Sequence, residues 1–194
     1  MLKNKTSNIH ILILLFSTFF MSCKKTSTTI DTVTPVVVIP VASNFTAYST
    51  AFINDGTYPK LYTCDSTGIS PTISWKDAPV GTTAYAITMH HIPPTGANHV
   101  YICLYNIPST ILSIPAATNG IGTFGINTVN GLMKYTPPCS QGPGAKTYII
   151  TVYALSKQPT ITVAPNAVTM DALLSAMSNI TLGTSTLTVT YTRP

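Results

Sequence analysis

The chain has 194 residues, of which 8% are charged, and its formal net charge is +5. Charged residues make up about 25% of a typical soluble domain, so Thr, Ser, Asn and Tyr must supply most of the polar surface here. The basic residues form no patch with interleaved aromatic residues, which excludes the usual pattern of a nucleic-acid-binding protein. No cofactor is expected.

Residues 1–22 have the three-part pattern of an export signal. Two lysines precede an almost wholly apolar run over residues 9–20, and small Ser22 follows it. The apolar run of roughly a dozen residues is shorter than the about 20 residues that a membrane-spanning helix needs. We therefore expect this segment to be removed. The alternative is a retained membrane anchor.

Cys23 stands where bacterial lipoprotein signals place the cysteine that receives lipid and becomes the first residue. Residues 20–23 (Phe-Met-Ser-Cys) resemble a lipobox, although Phe20 replaces the usual Leu. Two or more acyl chains hold a protein stably at a membrane, whereas one chain holds it only marginally. A diacylglycerol-modified Cys23 with an added N-acyl chain therefore predicts a lipid-anchored protein of the bacterial cell envelope, outside the cytoplasm and expected on the outer membrane.

Residues 23–43 form the predicted lipidated cysteine and its stalk. The segment is rich in Thr, Val and Pro and almost empty of aromatic residues. It can bury little surface and should stay extended. The two lysines that follow Cys23 favour contact with anionic headgroups. The run 36–39, bracketed by Pro35 and Pro40, is alternatively a first edge strand.

Residues 44–194 match one domain of ordinary size, and strand signals dominate it. Runs of β-branched or aromatic residues bounded by Pro, Gly or Asn occupy residues 84–89, 100–105, 147–155 and 184–192. Residues 168–177 carry a helix signal, with Thr169 as the cap. Short strands with little helix predict an all-β domain, an antiparallel sandwich or barrel, with one short C-terminal helix before the last strand.

Side chains alternate across a strand, so the odd-numbered residues of the run 99–105 should share one face and the even-numbered residues the other. This alternation places His99 beside Tyr101 at the rim of the sheet, on the same face as Cys103 and Tyr105.

Three cysteines remain once Cys23 is assigned to lipid. Cys64 and Cys139 lie in turn-rich connections, so a disulfide between them is a candidate in an oxidising compartment. Cys103 lies inside a strand and is most simply a buried, small hydrophobic residue. Spacing does not establish connectivity, so the pairing stays open.

Several blocks of the domain occur in the order of a known family. They are residues 52–56 (Phe-Ile-Asn-Asp-Gly), 62–65 (Tyr-Thr-Cys-Asp), 70–75 (Ser-Pro-Thr-Ile-Ser-Trp), 105–108 (Tyr-Asn-Ile-Pro) and 138–139 (Pro-Cys). This ordered set resembles the phosphatidylethanolamine-binding protein family, specifically its bacterial Raf-kinase-inhibitor-like branch. The resemblance implies two antiparallel sheets in a Greek-key arrangement, with a small pocket at one end for an anionic group such as phosphate.

The pocket is where this sequence departs from that family. The family's usual Asp-Pro-Asp-x-Pro turn reads His-His-Ile-Pro-Pro over residues 90–94. His90 and Ile92 therefore stand at the positions of the two aspartates, while Pro94 keeps the final proline. Both carboxylates are lost.

Two more family positions are substituted. Tyr101 stands where the resemblance places a histidine, with His99 two residues earlier, and Lys146 and Thr147 replace the histidine and arginine of a Gly-x-His-Arg-Tyr element. The predicted ligand-binding residues are His90, His99, Tyr101, Tyr135, Pro138, Lys146 and Tyr148. This lining offers cationic and neutral donors and no carboxylate, which favours an anion.

We therefore expect a membrane-tethered, non-catalytic binding module for a small anionic or polar group, such as a headgroup or a segment of a protein partner. Two alternatives stay open. His90, His91 and His99 offer the imidazole ligands of zinc, which would suit a metal-assisted hydrolase. The chain could also be an interaction protein with a vestigial pocket. Aspartates are few in the domain, and Asp65 is expected to brace a turn.

Overall fold

The computed structural model describes residues 44–141 and 143–194. The compact unit to which these residues belong spans Pro40–Pro194. The predicted export signal, the lipid on Cys23, the stalk and the alternative strand at 36–39 lie outside the described residues and stay predictions.

Runs of β-branched and aromatic residues form two sheets. The larger sheet contains, in spatial order, β2 (Gly56–Thr57), β9 (Thr181–Tyr191), β8 (Lys146–Leu155), β4 (Ala84–His91), β5 (His99–Pro108) and β7 (Thr123–Phe124). The smaller sheet contains β1 (Thr46–Tyr48), β3 (Ile73–Lys76) and β6 (Ser113–Ile114) in that order. The four strands predicted from the sequence correspond to β4, β5, β8 and β9.

The described part of the chain is mostly β with one short helix, as predicted. The strand pairs are antiparallel except for β2 and β9, which run parallel. The prediction of wholly antiparallel sheets is wrong at this edge, because a two-residue strand is too short to show a strand pattern in the sequence. The Greek-key arrangement stays a prediction.

The helix α1 (Met170–Met177) begins two residues later than the predicted range, because residues Pro165–Ala167 form a 3-10 turn before it. Its cap is the predicted one, since the backbone N–H of Ala172 donates to Thr169 Oγ1 at 3.1 Å. None of the described helices combines the length and the hydropathy that crossing a membrane requires.

Each face of the larger sheet packs against its own hydrophobic cluster. The cluster between the two sheets is centred on Trp75, whose ring lies 5.0 Å from that of Tyr85. The cluster on the opposite face joins the sheet to α1 through Leu173 and Met177. It includes Cys103, and burial raises the pKa of this thiol to about 12. The thiol is therefore protonated and unreactive at neutral pH, as expected of a small hydrophobic residue.

Irregular pairing interrupts the alternation of side chains along β5. Its register against β4 shifts twice, which is the mark of a β-bulge. Tyr101 and Ile102 both join the cluster between the sheets, whereas Val100 and Cys103 join the cluster beside α1. The prediction that the odd-numbered residues of 99–105 share one face is wrong, because the extra residue of a bulge reverses the face of every later side chain.

A loop at residues 127–136 is organised by the buried amide of Asn127. Its Nδ2 donates to Asn130 Oδ1 at 2.9 Å, to the carbonyl of Leu132 at 2.7 Å and to Thr136 Oγ1 at 3.0 Å. Its Oδ1 accepts from the backbone N–H groups of residues 129 and 130. The Asn127 side chain thus holds this loop together through hydrogen bonds, in the absence of strand pairing within residues 127–136.

We predict that Asn127→Ala lowers the free energy of unfolding by about 2–3 kcal/mol, because it leaves several buried loop groups without a partner. Urea unfolding followed by circular dichroism measures the loss. The control is Asn119→Ala at an exposed position, which should change the free energy by no more than about 0.5 kcal/mol. Equal stability of the two variants would contradict the role of Asn127.

Candidate functional site

A cavity of about 220 Å³ opens at one end of the larger sheet. The end of β4 and the beginnings of β5 and β8 meet there, because these strands are antiparallel neighbours. The lining residues are His91, Pro93, Pro94, His99, Tyr101, Cys139, Ser140, Gln141, Lys146 and Tyr148. We call this space the end cavity.

Packed rings form one wall of the end cavity. The ring of Tyr148 lies 5.5 Å from that of Tyr101 in an edge contact and 5.8 Å from that of His91, and the His91 and His99 rings are 6.1 Å apart. His91 Nδ1 lies 2.8 Å from the carbonyl oxygen of Thr147. Because a carbonyl only accepts, Nδ1 carries the hydrogen, and Nε2 becomes a donor when the ring is doubly protonated.

A disulfide holds the opposite wall of the end cavity. Cys64 and Cys139, whose pairing the sequence left open, are bonded, with their Cα atoms 5.2 Å apart. The backbone N–H of Cys64 also donates to the carbonyl of Pro138 at 3.0 Å. These two links carry residues 139–141 to the cavity.

The carboxylate of Asp65 lies in a network behind this wall. Arg193 Nε is 2.8 Å from Asp65 Oδ1, and the Tyr191 hydroxyl donates to Asp65 Oδ2 at 2.8 Å. Arg193 Nη1 in turn donates to the carbonyl of Ser140 at 3.3 Å. The carboxylate of Asp65 thus joins the end of β9 to the turn that contains Cys64.

Buried tyrosines support the end cavity from below. The Tyr135 hydroxyl donates to the backbone carbonyl of Tyr62 and lies 3.1 Å from the Tyr58 hydroxyl. Burial raises the pKa of both Tyr58 and Tyr135. The pKa of Tyr148 is raised to about 12, first by burial and then by its neighbours Tyr191 and Asp65. These phenols are therefore neutral hydrogen-bond donors at neutral pH.

Ser140 lies in the wall of the end cavity. The residue is 8% exposed, and its Oγ has no hydrogen-bond partner in the described part of the chain. The Oγ atom is itself covered, so Ser140 contributes other atoms to the cavity wall and its hydroxyl is not exposed to the cavity.

The structure brings together four of the predicted ligand-binding residues and separates three others from them. His99, Tyr101, Lys146 and Tyr148 line the end cavity, and His90, Tyr135 and Pro138 do not. Ligand binding by His90, Tyr135 and Pro138 therefore has no support from the cavity lining and stays untested. Tyr135 hydrogen-bonds below the cavity and Pro138 is buried behind the disulfide loop. Ligand binding by the four that do line the cavity stays a prediction.

His90 faces the other side of the larger sheet. It pairs with Val100 and Ile149, and Val100 belongs to the cluster beside α1. Burial and the neighbouring His91 lower the pKa of His90, and its Nδ1 has no partner among the described residues. The three histidines therefore do not converge, and no group of three His, Cys, Asp or Glu suited to a metal ion occurs in residues 44–141 and 143–194.

Sequence reasoning named His91 only as a possible zinc ligand, and it missed Ser140 and Gln141. His91 is two residues after buried Met89, so the two side chains lie on the same face of β4. This alternation was a sequence signal that His91 faces the end cavity. Ser140 and Gln141 lack such a signal, because the disulfide rather than a strand brings their loop to the end cavity.

The two-sheet fold with its end cavity defines a ligand-binding type of β domain. Residues 48–192 match the family model described as phosphatidylethanolamine-binding protein. The chain therefore belongs to the phosphatidylethanolamine-binding protein family, which confirms the family that its ordered blocks resemble.

Relatives and solved structures agree with this assignment. A UPF0098 protein from Chlamydia muridarum is 31% identical over 150 residues, which cover 74% of this chain and 95% of the relative. The structure of a protein described as a phosphatidylethanolamine-binding protein homologue, from Chlamydia trachomatis, has a TM-score of 0.70 at 26% identity and covers 77% of this chain and 98% of that one. Escherichia coli YbcL has a similar fold, with a TM-score of 0.69 at 20% identity, covering 77% of this chain and 99% of its own.

The raised pKa of Tyr148 predicts a specific loss of stability at alkaline pH. Its folded-state pKa of about 12 exceeds the unfolded value of about 10. The stabilisation is therefore complete below the unfolded pKa and is lost as the pH rises towards the folded one. Tyr148→Phe should lose less unfolding free energy than the wild type between about pH 9 and about pH 11. Urea unfolding at both pH values measures the difference, and identical losses would contradict the assignment.

Proposed function

We propose that this protein binds a small anionic group in the end cavity and does not transform it chemically. The observation that carries the proposal is the composition of the lining. It contains Lys146 and the rings of His91 and His99, and it contains no carboxylate. A hydrogen bond from the Lys146 ammonium is charge-assisted, and pairs of a cationic donor with an anionic acceptor are among the strong ones, so an anion is the ligand that this lining favours.

The surrounding charges support the same ligand class. Asp65 is a carboxylate close to the cavity, and Arg193 and Tyr191 already occupy both of its oxygens. Among residues 44–141 and 143–194, Lys146 forms no ion pair. Within the described part of the chain, the cation on the wall thus has no ion-pair partner, whereas the carboxylate behind the wall has one.

The hydroxyl and imidazole groups of the lining are not arranged as a nucleophile and its base. Nucleophilic catalysis by a hydroxyl needs a base within hydrogen-bonding distance. Ser140 Oγ has no such partner in the described residues. The lining also lacks a carboxylate that would orient a histidine as a base. These features favour binding over catalysis.

Sulfate is a suitable probe, because its charge does not change across the neutral range. Lys146→Gln should weaken sulfate binding by roughly tenfold or more, since it removes a charge-assisted hydrogen bond. Isothermal titration calorimetry on the purified domain measures the dissociation constants.

Lys157→Gln is the matched control, because Lys157 is exposed beyond the opposite end of β8. It should leave sulfate binding unchanged. Absence of sulfate binding by the wild type would contradict the anion proposal and leave an interaction protein with a vestigial pocket.

We also propose that the protein is tethered to a bacterial membrane through lipid on Cys23, outside the cytoplasm. The support is the sequence pattern of residues 1–23, in which an apolar run too short for a spanning helix leads to a lipobox-like cysteine. In a tethered protein the binding domain would act within reach of the membrane surface.

Cys23→Ser should move the full-length protein from the membrane fraction to the soluble fraction when it is expressed in a bacterium that processes lipoproteins. The physical reason is the loss of the acyl chains, which supply stable membrane binding. Immunoblotting of the fractions and mass spectrometry of the mature N-terminus report the result. The control is Ser22→Ala, which keeps the cysteine and a small residue before it. Membrane retention of Cys23→Ser would contradict the lipid tether.

A further inference from the structure

A second cavity of about 340 Å³ lies directly beside the end cavity. The two cavities share four lining residues, which are His99, Tyr101, Cys139 and Gln141. The second cavity is completed by Thr128 and Val129 of the 127–136 loop. We call it the side cavity. The shared residues place the two cavities side by side, and we call the pair the groove.

The two parts of the groove differ in charge. The end cavity contains the fixed cation of Lys146 together with His91, whereas neither residue reaches the side cavity. The side cavity is lined by two rings, one half of the disulfide, the methyl groups of Val129 and uncharged polar groups. An anionic group is therefore favoured in the first part and a neutral, partly apolar group in the second.

Size supports a ligand that extends over both parts. Small-molecule sites usually have volumes of about 300–1,000 Å³. The end cavity, at about 220 Å³, is smaller than this range, and the side cavity, at about 340 Å³, lies within it. The end cavity alone suits the charged group of a ligand, and the side cavity has room for its substituent.

The outer wall of the side cavity is preformed. The N–H of Val100 donates to Thr128 Oγ1 at 2.7 Å, and the N–H of Thr136 donates to the carbonyl of Tyr101 at 3.2 Å. Both ends of the 127–136 loop are thereby attached to β5, while Asn127 holds its interior. A wall fixed before binding loses little freedom when a ligand arrives, which favours affinity.

We propose that the ligand of this groove is an organic anion with a flat or apolar substituent, such as an aryl ester of phosphate. The charged group occupies the end cavity, and the substituent occupies the side cavity against Tyr101, the disulfide and Val129. This inference rests on the proposed anion binding and adds the class of ligand to it.

Methyl phosphate and phenyl phosphate test the inference, because both are phosphate monoesters and they differ in the substituent. Calorimetric titration of the wild-type domain should give roughly tenfold tighter binding of phenyl phosphate, the gain expected when part of a ring is buried. Val129→Ala should reduce this preference by roughly threefold while leaving methyl phosphate binding unchanged. Lys146→Gln should weaken both ligands by similar factors.

Leu132→Ala is the matched control, because Leu132 is an exposed apolar residue of the same loop and does not line either cavity. It should leave both dissociation constants unchanged. Equal affinity of the wild type for the two esters would overturn the substituent site while leaving anion binding intact. A preference for phenyl phosphate that Val129→Ala does not reduce would also overturn it, because the ring would then lie elsewhere. Failure of both esters to bind would overturn the anion proposal itself.

Discussion

The site depends on one covalent constraint, the bond between Cys64 and Cys139 across 75 residues of sequence. The residues around Cys139 belong to no strand, so sheet pairing cannot place them. The disulfide places this loop over the ends of β4, β5 and β8, and it brings with it the buried hydroxyl of Ser140. Cross-linking also limits the freedom of the unfolded chain. The same bond therefore contributes to stability, forms part of the wall shared by both cavities and explains why an oxidising compartment suits this protein.

Two charged side chains at this end of the larger sheet have different surroundings, Asp65 behind the cavity wall and Lys146 on it. Behind the wall, the carboxylate of Asp65 is neutralised by Arg193, so two elements distant in sequence are joined without leaving a net charge. On the wall, Lys146 faces the cavity without an ion-pair partner among the described residues. A buried carboxylate without a cation beside it would repel an anionic ligand. Because Asp65 is paired with Arg193, it does not offset the attraction between Lys146 and an anion.

Much of the fold could be predicted from the sequence, and less of the site. Long β-branched runs and the Thr169 cap are local signals, so β4, β5, β8, β9 and α1 were found near their observed bounds. The bulges in β5 are a property of its pairing with β4, and they turned Tyr101 and Cys103 to different faces. Counting along the family motif predicted His90 as a ligand-binding residue. In the structure His91 lines the end cavity instead, because neighbouring side chains of β4 face opposite sides of the sheet. Residues that a distant covalent bond brings into place, such as Ser140, carry no local signal at all.

The short parallel pairing of β2 with β9 also bears on self-association. A long outer strand with free backbone groups is a template on which a second copy can add. Here the Asn54 side chain accepts from the N–H of Thr188 at 2.7 Å, and the N–H groups of Asp55 and Tyr58 donate to the carbonyls of Thr188 and Thr190 at 2.6 and 2.7 Å. Over residues 188–190 the rim of the sheet is thus already occupied from within the molecule. A second copy of the protein could therefore not add a strand at residues 188–190. Fibre formation by strand addition would have to begin at another edge.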